Sequence, residues 1–425
     1  MMMILLICQM VFSCKTYQGF KKYLLIKFIY NMNDIPYEYC IFDFKLKKDL
    51  KNATLSHYKK SDVLKAFSRG IINSNIEEAC RWMVELHSSG YTDNIFSELL
   101  LVYLKNININ NPLYIIYFFR RLNYYNNLIK EVPKDLKIFT RNTQEIRNLL
   151  CELTSILVYS KKNKIFENKS LPKIPGYAYE EKYIKQKIVS KNVKYIYKYV
   201  KDNDLTEIKI ALNEFINILY SNKKTFYNLI FWYLWLKKYV KAYKKENMDR
   251  SCFTRYNVEN IGDKYKIDWV WGLWNIIIDY IKNIEKKKRL IITKLYSEYK
   301  NNYKGYERTD KTFILYNVIY LLSNNINLKI NIRQNEKYLI QASCLINNIY
   351  KEIENNLIIG YNNNELKIRF NNYNKIILNE KNKLKKKKER ENNKIQKIKK
   401  ELLNEKSKKK LNAYFEFIPK KNLNN

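Results

Sequence analysis

The sequence predicts an all-α protein, and three observations carry that expectation. Apolar residues recur at three- and four-residue steps along most of the chain. Glycine (8) and proline (6) are scarce among 425 residues, so the tight turns of β-sandwiches, Rossmann folds and phosphate-cradling loops lack their raw material. Apolar residues reach 46%, which is enough for a sizeable core and argues against wholesale disorder. The expected architecture is a stack of roughly ten to twelve antiparallel helices. A basic C-terminal tail, disordered or marginally helical, follows it.

The elements read as follows. Ser61 or Asp62 caps a first helix whose apolar face is Val63, Leu64 and Phe67, with Gly70 as its end. Ser74 or Asn75 caps a second helix, with Glu77 and Glu78 at its positive end. Ile76, Ala79, Met83 and Leu86 form its stripe, and Gly90 terminates it. A third helix starts at Thr92 or Asp93 and runs to the Asn-rich joint at 106–111. Pro112 sits in the first turn of a fourth. Ile146, Leu149, Leu150, Leu153, Ile156 and Leu157 mark a fifth helix from Thr143. Residues 161–182 hold Pro172, Pro175 and Gly176 and read as the main internal loop. Further helical segments are 194–200, 204–221, 223–243, 266–284, 289–300, 311–324 and 338–356.

Length sets a prior of about two to three domains. The organisation expected is an N-terminal extension at 1–31, a helical lobe at 32–165, a second lobe at 166–378 and a tail at 379–425. The apolar run at the start is too short to span a bilayer and is broken by Lys15. It lacks the basic leader of a secretory signal, and Met32 is the expected start of the folded chain. Seven cysteines without a CxxC pair, and only two histidines, His57 and His87, assemble no zinc spacing and fit free thiols in a reducing compartment. Localisation in the cytoplasm or nucleus is expected, not secretion, and a membrane partner is not.

Charge sets the function class. Against 79 lysines and arginines stand 41 acidic residues, a net charge of +38. Such an excess repels itself unless a polyanion is near, and nucleic acid, DNA first, is the expected partner. Part of the lysine excess also fits an AT-rich genome. No P-loop, GxGxxG, HExxH, GxSxG or kinase signature is present, so a non-enzymatic protein with no cofactor, metal or small-molecule substrate is expected.

Four places are candidates for contact. Lys237, Lys238 and Lys241 lie in an aromatic-rich helix with Trp232 and Trp235, where rings and ammonium groups could hold single strands. The spacing of Trp232, Trp235, Leu236 and Tyr239 favours a core helix instead, as it does for Trp269, Trp271 and Trp274. Arg120 and Arg121 offer forked guanidinium donors to phosphate. The lysine run at 381–410, with Lys385, Lys386, Lys387 and Lys388 at its densest point, needs no fold to bind phosphates. Finally Leu411, Tyr414 and Phe415 project to one side of a single helical turn as an apolar docking plug.

That last spacing resembles the peptide by which replication and repair proteins bind the sliding clamp. Leu411 matches its aliphatic position and Tyr414 with Phe415 its aromatic pair, while Lys408 replaces the expected glutamine. Residues 61–121, through Ala79, Trp82, Leu86, Gly90 and Pro112, resemble the helical collar of clamp-loader-related ATPases of genome maintenance, without the ATPase module. From 61 to about 350 the chain is similar to a family of uncharacterised helical proteins of nucleocytoplasmic large DNA viruses, through FTRNTQEIRNLLCELTSIL, IALNEFINILYS, FWYLWLKKY and WVWGLWNIIIDYI. These likenesses imply an accessory factor in viral DNA replication or repair. The rival classes are a structural or assembly protein of a virion or virus factory, and a transcription-complex subunit.

Overall fold

The computed structural model describes residues 35–245 and 258–358, apart from positions 44, 46, 131, 133, 192, 194, 195, 203 and 223, and scattered positions between 375 and 396. The extension at 1–31 and the terminal plug lie outside the described residues. Among the described residues there are twelve α-helices of seven residues or more and no strand, only an isolated bridge between Ala53 and Lys59. The fold is all-α. None of these helices is long and apolar enough to cross a membrane.

The helices are α1 (Lys60–Ile72), α2 (Ile76–Ser88), α3 (Thr92–Val102), α4 (Tyr114–Ile129), α5 (Gln144–Tyr159), α6 (Glu181–Lys187), α7 (Thr206–Tyr220), α8 (Phe226–Lys245), α9 (Val270–Tyr280), α10 (Lys286–Lys300), α11 (Thr309–Ser323) and α12 (Glu336–Ile358). Short connections fold neighbours back on one another: α1 on α2, α7 on α8, α10 on α11. Non-neighbours complete the stack, with α5 under α2, α11 against α8, and α10 against α4. Met83, Leu86, Ile146, Leu149 and Leu153 are fully buried where α2 meets α5. Removing each such side chain from water contributes about 1.5–3 kcal/mol.

Capping follows the sequence at α2. The Asn75 side chain accepts the backbone N–H of Glu78 at 3.0 Å. At the other end Gly90 takes φ +76°. Its N–H bonds His87 O and that of Tyr91 bonds Leu86 O, a Schellman closure that residues with a Cβ adopt poorly. The start of α3 differs: Thr92 and Asp93 are its first residues and neither side chain caps it.

Gly70 does not end α1. The helix runs on to Ile72, and a Cβ at Gly70 would stand 2.7 Å from the backbone nitrogen of Ala79. The glycine is there for close approach of α1 to the start of α2. The described residues of segment 194–200 form a 3-10 turn at Ile196–Lys198 rather than an α-helix. It is short, and among its described residues only Ile196 is buried, so packing supports little more than one turn. Pro112 stands ahead of α4, which begins at Tyr114.

The chain divides into two units, Met1–Leu357 and Ile358–Asn425, and the boundary expected at 165/166 falls inside the first. Within the first, Phe166 meets Tyr316 at 5.6 Å, the Trp235 indole donates to Ala178 O at 2.9 Å, and Asn317 Nδ2 donates to Leu104 O at 2.8 Å. The loop with Pro172 and Gly176 is thus pinned to helices on its C-terminal side.

The Asn-rich joint has its own structure. After Val102 the helix of α3 widens into a π turn, Tyr103–Ile107, and closes in a 3-10 turn. Asn163 clamps it, donating from its side chain to Ile107 O and to Asn108 Oδ1, both at 2.9 Å, and from its backbone to Asn106 O at 2.7 Å. Asn111 Nδ2 bonds Ser160 Oγ at 3.0 Å and Ile332 O at 2.9 Å.

Candidate nucleic-acid interface

The basic residues fall into two sets by what their cationic heads touch. In the interior, Arg141 and Arg147 are fully buried on and just before α5. A buried guanidinium must have its donors satisfied. Arg141 donates to Ser88 O at 2.6 Å and to Asp43 O. Arg147 donates to Arg141 O (2.6 Å), Asn347 Oδ1 (2.8 Å), Tyr39 O (2.9 Å) and Asn142 Oδ1 (3.2 Å). It also lies 3.6 Å above the Tyr350 ring. The Tyr350 hydroxyl meets His87 Nδ1 at 2.5 Å. Burial, with Arg147 and Arg141 adding repulsion, pushes the His87 imidazole down to about 3. These groups tie α2, α5, α12 and the segment at 39–43 together.

The second set is on a loop ahead of α1. Lys45, Lys48, Lys51 and Lys59 are exposed, and none forms an ion pair among the described residues. Lys47 and Lys60 stand 5.5 and 5.3 Å from the Tyr91 ring centre. Anchors into α2 and the turn after it fix the loop. Ser56 donates to both oxygens of buried Glu85, from N at 3.1 Å and from Oγ at 2.8 Å. Leu55 N donates to Ser89 Oγ at 2.8 Å, and the Tyr91 hydroxyl to Ala53 O at 2.9 Å. Three non-glycine residues, Lys51, Asn52 and His57, take positive φ to turn the chain. The Tyr58 ring is half exposed and meets Trp82 edge-on at 5.5 Å. Exposed Arg81 is the neighbour of Trp82 on α2.

A fixed loop with free ammonium groups and an accessible ring supplies two contacts that nucleic acid uses. Phosphates exchange their counterions for lysines, and an unpaired base stacks on the tyrosine face.

The residues of Met1–Leu357 expected from sequence lie elsewhere, on α4 and α8. Arg120 is exposed on α4. Arg121 pairs with Glu152 at 3.1 Å and leans on Tyr124. On α8, Lys237 is half buried and donates to Thr312 Oγ1 at 2.7 Å, and burial lowers its pKa. Lys238 donates to Ile174 O at 2.6 Å and fastens the proline loop. Lys241 is exposed. Trp232, Trp235, Trp269, Trp271 and Trp274 are buried core. In the tail Lys386 is exposed and helical, while Lys385, Lys387, Lys388, Leu411, Tyr414 and Phe415 lie outside the described residues.

Sequence reasoning passed over the loop, although its signal was present: six lysines in the sixteen residues from Lys45 to Lys60. They stand singly or in pairs, not gathered as in the run at 381–410. No protein-family model, curated protein or solved structure matches this chain.

Proposed function

We propose that the protein is a non-enzymatic, nucleic-acid-holding accessory factor of viral DNA replication or repair, and that the loop from Lys45 to Lys60 is its folded contact surface. The observation that supports this reading most is the rigid display of Lys45, Lys48, Lys51 and Lys59, unpaired among the described residues, beside the half-exposed Tyr58 ring. The lysine run at 381–410 adds a second, non-specific hold on phosphate.

The test is fluorescence anisotropy with labelled single- and double-stranded DNA across a salt series. The triple variant Lys48→Glu, Lys51→Glu, Lys59→Glu is expected to weaken binding and to reduce the slope of log K against log salt by about two to three. Truncation at residue 380 should flatten the slope further. An unaltered slope in both proteins would reject the reading. The terminal Leu411, Tyr414 and Phe415 are proposed to dock a sliding clamp. Tyr414→Ala with Phe415→Ala should abolish clamp capture in a pull-down, and undiminished capture removes that docking role.

A further inference from the structure

One cleft runs against the charge of the whole chain. It lies between α3, α4 and the connection from α10 to α11, and its volume is about 850 Å³. That is within the range of sites that enclose a ligand or a few side chains of a partner. Phe96 and Phe118 form its buried floor, and Leu101, Phe119 and Leu122 are partly exposed above them.

Its charged lining is mainly acidic, with Arg308 and Lys311 the two bases. Asp93, Glu98, Glu298 and Glu307 line it, and none forms an ion pair among the described residues. The cleft's own two bases are engaged within its lining, both pairing with Asp310. Lys311 Nζ donates to Glu298 O and Asn301 O, both at 2.7 Å, and Arg308 pairs with Asp310 at 3.1 Å. Basic residues outnumber acidic ones 79 to 41 in the chain, so unpaired carboxylates gathered at one apolar groove are contrary to its composition.

We propose that this cleft docks a cationic amphipathic helix of a partner protein. Leucine-like or aromatic anchors would lie on Leu101, Phe119 and Leu122, with flanking lysines or arginines against the carboxylates. The charge excludes nucleic acid, which the carboxylates repel. The carboxylates line one groove without converging on a point: no group of three or more ligating side chains could hold a metal ion among the described residues, so separate ammonium groups suit them better. Apolar anchors with a charged rim are the usual form of helix-in-groove recognition.

The probe is a fluorescein-labelled synthetic peptide of leucine and lysine at helical spacing, titrated into the full-length protein. Saturable, salt-sensitive binding is expected, with a scrambled peptide of the same composition binding more weakly. Asp93→Asn with Glu307→Gln should weaken it roughly tenfold, and Leu122→Ser by a similar factor. Circular dichroism checks that these variants fold, and all three positions are at least partly exposed. Charge reversal at Lys48, Lys51 and Lys59 should leave peptide binding unchanged, which separates this proposal from the nucleic-acid reading. Equal binding by wild type and cleft variants, no preference over the scrambled peptide, or displacement of the peptide by millimolar Mg²⁺ alone would overturn it.

Discussion

The interior arginines and the loop lysines carry the same formal charge and do opposite work. Arg141 and Arg147 are buried and turn their guanidinium groups to backbone carbonyls and side-chain amides of the fold, out of a ligand's reach. Lys45, Lys48, Lys51 and Lys59 have their backbone fixed and their heads in water. Net charge therefore overstates what is available for binding. Lys237, Lys238 and Arg121 belong with the interior set, because each is already bonded to its own chain.

Mutation separates the two sets through different measurements. Arg147→Ala has the largest expected effect, a loss of about 3–5 kcal/mol in urea unfolding, because buried acceptors lose their donor and a cavity opens beneath Tyr350. A loss under about 1 kcal/mol would erase the distinction.

The next effect is a pH slope from the same interior. His87 stays neutral in the fold down to about pH 3, whereas in the unfolded chain it takes a proton near its ordinary value of 6.5. Above 6.5 neither state is protonated and there is no contribution. As pH falls below 6.5 only the unfolded state gains the proton, so stability falls, by on the order of 1 kcal/mol per pH unit. Urea midpoints between pH 6.5 and 5 should show this slope, and His87→Phe should remove it. An equal slope in the variant would place its origin in other groups.

The smallest stability effect belongs to the loop. The triple charge reversal at Lys48, Lys51 and Lys59 should shift unfolding by no more than about 0.5 kcal/mol while weakening DNA binding. A large loss of stability there would mean that these lysines serve the fold after all.

Much of the helix pattern was legible because burial periodicity is local. The stripes of α2 and α5, the Asn75 cap and the Gly90 closure all depend on residues within one or two turns of each other. Gly70 was misread because its reason lies on another helix, at Ala79. Residues 194–200 were misread because a run rich in tyrosine, isoleucine and valine looks helical although among its described residues only Ile196 is buried. The site was least legible. A lysine facing water and a lysine reaching a carbonyl, such as Lys238 at Ile174, have the same local sequence. Equally, no glycine announced the turns at Lys51, Asn52 and His57.

The widened turn at Tyr103–Ile107 also says how this part of the chain tolerates change in length. Deleting one residue there would restore a regular helix and rotate everything downstream by about 100°. The bonds from Asn163 to Asn106, Ile107 and Asn108 would then miss their acceptors. Lengthening or shortening of the chain is therefore poorly accommodated at this joint.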